Sequence, residues 1–79
     1  MFNEEKLRQV MASIFKVAVG SIGPASSMDN VPSWDSLQHM NLVLALEEEF
    51  AVSIPDEDAA NMTSYALIKV VLEELPRLT

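Results

Sequence analysis

Apolar residues recur at helical spacing in three segments of this chain, and stretches with prolines or glycines separate the segments. Positions i, i+3, i+4 and i+7 lie on one face of an α-helix, so each segment predicts an amphipathic helix that packs on a core. The first helix is expected to span about 15 residues, with Asn3 as its N-cap. Its apolar face is Leu7, Val10, Met11, Ile14 and Ala18.

The second helix is expected from about Ser36 to Ala51, after the stretch GSIGPASSMDNVPS. That stretch contains both glycines and two of the four prolines, so it predicts a long loop. We expect three apolar residues to hold the loop on the core: Ile22, Met28 and Val31.

Two further helices are expected after the second. Pro55 and the acidic residues 56–58 predict the start of a short third helix that runs to about Met62. Thr63 or Ser64 then caps a last helix, which Pro76 ends. Its apolar face is Tyr65, Ile68, Val71, Leu72 and Leu75. The fold class is therefore all-α.

The second helix has apolar residues on two opposite faces. At about 100° per residue, one stripe spans about 100° of the helix and predicts the core face. It comprises Leu42, Val43, Leu46 and Phe50. Leu37, Met40 and Leu44 lie nearly opposite, bordered by Glu47 and Glu48. This second stripe is either covered by another part of the bundle or serves as a docking surface for partner proteins.

Size and charge exclude several classes of function. The chain has 79 residues and is expected to form one domain over 1–79. Its formal charge of −7 repels nucleic acid and anionic membranes, so partners should present basic patches. The absence of cysteine excludes disulfides and a cysteine nucleophile. No secretory signal or membrane span is evident, and we expect a cytoplasmic monomer without membrane insertion.

Ser36 stands with Asp35 where the second helix begins, and either residue suits the N-cap. A nucleophilic serine needs a base, but the one histidine, His39, falls on the core side of the helix. We therefore expect no catalysis by this chain alone. The positive end of a helix dipole also suits a phosphate esterified to Ser36. The acidic clusters 47–49 and 56–58 lack EF-hand spacing, and no metal site is expected.

The segments DSLQHMNLVLALEEEF and VSIPDEDAANMTS together resemble the acyl carrier protein family. The resemblance covers roughly residues 31–75, and it implies a four-helix bundle with a short third helix. It implies that Ser36 carries 4′-phosphopantetheine, which a phosphopantetheinyl transferase brings from coenzyme A using Mg²⁺. The thiol of that arm would hold an acyl group as a thioester, and Asp35 would be the acid beside the modified serine.

The resemblance also implies two sets of contact residues. The docking face for acyl-loading and acyl-consuming enzymes would be Leu37, Met40, Leu44, Glu47 and Glu48. The space that shelters an acyl chain would be lined by Val43, Leu46, Phe50, Ile54, Ala59, Met62 and Ile68.

Some positions depart from carriers of fatty acid synthesis. Ser33 and Trp34 stand where those carriers have a small pair, and Gln38 and Asn41 stand where they tend to have acids. This pattern looks more like carriers of polyketide, lipid-modification or other specialised pathways. Trp34 either packs the loop on the second helix or contacts a partner. The alternatives in function are an aminoacyl or peptidyl carrier, and a helical interaction module that is never modified.

Overall fold

The computed structural model describes residues 3–75, which form four α-helices and one short 3₁₀ helix. No strand occurs within that range, so the expected all-α class is confirmed, as is the short third helix. The helices are α1 (Glu4–Phe15), α2 (Ser36–Phe50), α3 (Asp56–Asn61) and α4 (Tyr65–Glu74), and the 3₁₀ helix is Val19–Ser21. The predicted end of the last helix at Pro76 lies outside the described residues.

Side-chain caps fix where three of the helices begin. The side chain of Asn3 accepts the backbone N–H of Lys6 at 3.0 Å, as expected for α1. Asp35 accepts the N–H of Gln38 at 2.8 Å, so it is Asp35 and not Ser36 that caps α2. Ser64, rather than Thr63, caps α4 through its hydroxyl. Each cap satisfies an N–H group that the first turn of a helix leaves unpaired.

Left-handed residues end α1 and α2. Lys16 has φ 57° and Ala51 has φ 52°, and the following N–H groups turn back to carbonyls of the last helical turn. The expectation of about 15 residues for α1 was therefore too long, because the helix has 12. Ala18 lies beyond its end and is exposed, whereas Ala12 and Phe15 are buried.

The core collects one face of each long helix and the loop between α1 and α2. The described residues that are fully buried at its centre include Leu7, Met11, Leu42, Leu46, Met62 and Ile68. Ile22 and Val31 of the loop are buried too, and Met28 packs against the cluster. The predicted anchoring of the loop is confirmed.

Backbone hydrogen bonds also join this loop to the start of α4. The N–H of Met28 donates to the carbonyl of Thr63 at 3.1 Å, and that of Tyr65 donates to the carbonyl of Ser26 at 2.9 Å. The chain ahead of α2 is thus attached both to the core and to a distant helix.

A polar contact ties α1 to α4. The hydroxyl of Tyr65 donates to Glu4 at 3.0 Å, and Lys69 Nζ lies 3.3 Å from the same carboxylate. The hydrogen bond from Tyr65, followed by that from Lys69, holds the pKa of Glu4 below its ordinary value. Burial, followed by the hydrogen bond to Glu4, raises the pKa of Tyr65.

Candidate functional site at the start of α2

Ser36 is the first residue of α2, and its side chain is exposed. Asp35, just before it, is also exposed and has an extended backbone. Because Asp35 supplies the cap, the hydroxyl of Ser36 is not needed for that role. The start of α2 therefore presents an accessible hydroxyl at the positive end of a 15-residue helix.

The two residues before Asp35 attach this helix start to α1. Ser33 Oγ donates to the carbonyl of Phe15 at 2.9 Å, which satisfies a carbonyl at the end of α1. Trp34 is only 2% exposed and stacks on the ring of Phe15, with 4.9 Å between centroids. Trp34 thus packs the loop in the core, as one of its two interpretations held, and its burial argues against direct contact with a partner.

His39 connects Trp34 to α3. The indole Nε1–H of Trp34 donates to His39 Nδ1 at 3.0 Å, and His39 Nε2 lies 2.7 Å from the carbonyl of Ala59. Since Nδ1 accepts, the proton belongs on Nε2, which donates to Ala59. Both ring nitrogens are engaged in this way, and the half-buried ring has no nitrogen left to act as a base for Ser36.

The outer stripe of α2 is exposed along its length. Leu37, Met40 and Leu44 are 69%, 66% and 63% exposed, and Glu48 beside them is exposed as well. Glu47 differs because its side chain is half-buried and Oε2 accepts the N–H of Ile54 at 2.7 Å. Other helices of the bundle therefore do not cover the apolar stripe.

A groove of about 380 Å³ lies between α2 and α3, one turn after Ser36. Three of the seven residues expected to shelter an acyl chain line it: Val43, Ile54 and Ala59. The other four are at most 2% exposed within the packed core: Leu46, Phe50, Met62 and Ile68.

His39 and Glu47 also line this groove, and neither was assigned to it from the sequence. The available signal was their spacing, because residues 39, 43 and 47 follow one another at i, i+4 and i+8 on one side of α2. The helical spacing of apolar residues alone does not include these two polar side chains.

Two features that would indicate other kinds of function are absent from the residues that the structure describes. No group of three or more potential metal ligands occurs among the residues that the structure describes. Within the same part of the chain, no helix is long and apolar enough to cross a membrane.

A family model described as the phosphopantetheine attachment site matches residues 5–71, which is most of the chain. Together with the helical bundle, this match defines the class of protein as a carrier with a covalent 4′-phosphopantetheine group. The chain belongs to the phosphopantetheine attachment site family, as its resemblance to acyl carrier proteins predicts. Membership implies interaction with a phosphopantetheinyl transferase and with enzymes that act on the carried group.

Proposed function

We propose that Ser36 carries the 4′-phosphopantetheine group and that the protein delivers acyl groups, held on it as thioesters, to partner enzymes. The observation that carries the proposal is the exposed hydroxyl of Ser36 at the first position of α2, within the matched residues. A hydroxyl can form the phosphodiester by which the group is attached: it attacks the pyrophosphate of coenzyme A, and adenosine 3′,5′-bisphosphate leaves. The terminal thiol supplies the acyl-carrying chemistry.

The surroundings of the other serines favour this choice. In the described residues, three further serines are exposed, and none of them opens an α-helix: Ser13, Ser21 and Ser53. Ser33 and Ser64 are engaged in hydrogen bonds that fix the fold. Among the serines that the structure describes, Ser36 alone places an exposed hydroxyl at the positive end of a long helix, where a phosphate is stabilised.

Asp35 acts in this proposal as a positioning residue. Its carboxylate receives the N–H of Gln38, which fixes the first turn of α2 and so the place of Ser36. A negative charge next to a phosphate is unfavourable, but the same charge favours the helix N-terminus. The net effect of Asp35 is therefore to hold the attachment point in place rather than to bind the phosphate.

The exposed stripe of α2 serves, in our proposal, as the docking face for these enzymes. Leu37, Met40 and Leu44 would fill apolar pockets of a partner, each worth about 1.5–3 kcal/mol when fully buried. Glu47 and Glu48 border them, and the formal charge of −7 favours partners with basic patches. We propose that the chain catalyses no reaction itself and acts as a cytoplasmic monomer in fatty acid, polyketide or lipid-modification pathways.

The attachment is tested by incubation with coenzyme A, Mg²⁺ and a broad-specificity phosphopantetheinyl transferase, followed by intact mass. The proposal expects a mass gain of one phosphopantetheine group and none in Ser36→Ala. A chain that gains no mass would contradict the proposal and favour the alternative of an interaction module that is never modified.

The docking face is tested with Met40→Glu and Leu44→Glu, compared with Val70→Glu on α4. Val70 is also an exposed apolar residue, at 50%, and gives a matched control away from α2. The proposal is supported if the transferase modifies the two α2 variants more slowly than Val70→Glu while the circular dichroism spectra show unchanged helix content. Equal rates for all three variants would contradict it.

A further inference from the structure

Two hydrogen bonds from α2 hold the segment that contains α3. His39 Nε2 donates to the carbonyl of Ala59, and Glu47 Oε2 accepts the N–H of Ile54, each at 2.7 Å. Ile54 lies just before α3 and Ala59 lies within it, so the short helix is fastened near both ends. His39 and Glu47 are separated by two helical turns, about 12 Å, with Val43 between them.

The bond at His39 is itself supported from the core. Trp34 donates to the other ring nitrogen of His39 at 3.0 Å, and Trp34 is buried against Phe15 of α1. The imidazole cannot turn away from Ala59 without also breaking its bond with Trp34. The position of α3 is thereby coupled through two side chains to the packing of α1.

The groove between the two hydrogen bonds is small and lies against the packed core. Its volume of about 380 Å³ is near the lower end of the range of roughly 300–1,000 Å³ for small-molecule sites. Val43 and Ala59 of the groove pack against the core cluster, in which Leu46, Met62 and Ile68 are completely buried. A long chain fits there only if α3 moves away from α2, which breaks both of these part-buried hydrogen bonds.

We propose that His39 and Glu47 form a latch that keeps α3 on α2, and that this latch lets the protein shelter short acyl groups but not long ones. Short groups lie in the groove, whereas the remainder of a long chain stays in solvent. The inference rests on the proposed function, and it makes His39 a specificity-determining residue.

The test uses the full chain loaded by a broad-specificity transferase from acetyl-, butyryl-, octanoyl- and palmitoyl-coenzyme A. Intact mass first confirms loading, and then the rate of thioester cleavage by hydroxylamine and the melting temperature are measured for each acyl group. We expect octanoyl and palmitoyl groups on the wild type to be cleaved as fast as butyryl, with no rise in melting temperature.

The variant His39→Ala should release the latch. Thioester cleavage should then slow several-fold as the acyl chain becomes longer, and the melting temperature should rise as the acyl chain becomes longer. Trp34→Phe keeps the aromatic stacking but removes the donor to His39, and it should show the same trend more weakly. Asn41→Ala is the matched control, because exposed Asn41 bonds only along α2, to Gln38. Trp34→Phe keeps the test decisive if His39→Ala does not fold.

The outcomes separate the two proposals. A wild type that loads normally but protects long acyl groups better than short ones would overturn the latch and leave the carrier function intact. Identical chain-length behaviour of the wild type, His39→Ala and Trp34→Phe would also overturn it. If neither the wild type nor any variant gains the mass of phosphopantetheine, the carrier proposal and the latch are overturned together.

Discussion

A glycine substitution at the end of α2 should raise the free energy of unfolding, whereas most glycine substitutions in helices lower it. Ala51 has φ 52° and ψ 53°, and its N–H and that of Val52 both donate to the carbonyl of Glu47. A residue with a Cβ adopts this left-handed conformation at a cost of about 1–2 kcal/mol, which glycine avoids. Glycine also adds freedom to the unfolded chain, which costs about 0.4–1 kcal/mol.

The difference between these effects predicts that Ala51→Gly raises the free energy of unfolding by about 0.5–1 kcal/mol. For a domain of this size, about 1 kcal/mol shifts the melting temperature by roughly 4–8 °C, so an increase of about 2–8 °C is expected. Far-ultraviolet circular dichroism during thermal and urea denaturation measures both quantities.

The matched control is Ala45→Gly, in the interior of the same helix. Because Ala45 has helical neighbours on both sides, glycine there should lower the free energy of unfolding by about 1 kcal/mol. Opposite signs for the two variants are the expected result. Equal destabilisation by both would refute the left-handed end of α2 and the path by which the chain turns toward α3.

Three further predictions concern charge and protonation. Tyr65→Phe should lower the free energy of unfolding at neutral pH, as measured by urea titration. Because the folded-state pKa of Glu4 is lowered, the difference in this free energy between wild type and variant should shrink as pH falls through that pKa. A difference that stays constant down to pH about 2 would count against it. The nitrogen-15 spectrum of the neutral His39 imidazole should show the tautomer with the proton on Nε2. The reverse tautomer would contradict the bond from Trp34. Added salt should raise the melting temperature, because it screens the repulsion that a formal charge of −7 produces in the folded state. An equal melting temperature at low and moderate ionic strength would refute this.

Local features of the sequence predicted the helices well. Asn3 and the apolar spacing after it located α1, and the two stripes of α2 separated buried Leu42 from exposed Met40 as expected. These predictions succeed because caps and helical faces depend on residues within a few positions of one another. The choice between Asp35 and Ser36 as the cap needed the structure, since both residue types suit it.

Two kinds of feature were not predictable in the same way: the unusual end of α2 and the contacts between distant residues. The left-handed conformation of Ala51 ends α2 without the glycine that usually indicates such an end. The bond of His39 to Ala59 joins residues 20 positions apart, and that of Glu47 to Ile54 crosses the turn after α2. Glu47 was expected only at the docking face, because its hydrogen bond depends on how the chain folds back toward α3.

The most direct test of the carrier account is to locate the modification on the peptide that contains Ser33 and Ser36. After reaction with coenzyme A, Mg²⁺ and a phosphopantetheinyl transferase, tandem mass spectrometry of a protease digest identifies the modified residue. The account predicts phosphopantetheine on Ser36 in the wild type and in Ser53→Ala, and none in Ser36→Ala. Modification at another residue, or persistence in Ser36→Ala, would contradict the assignment of the site.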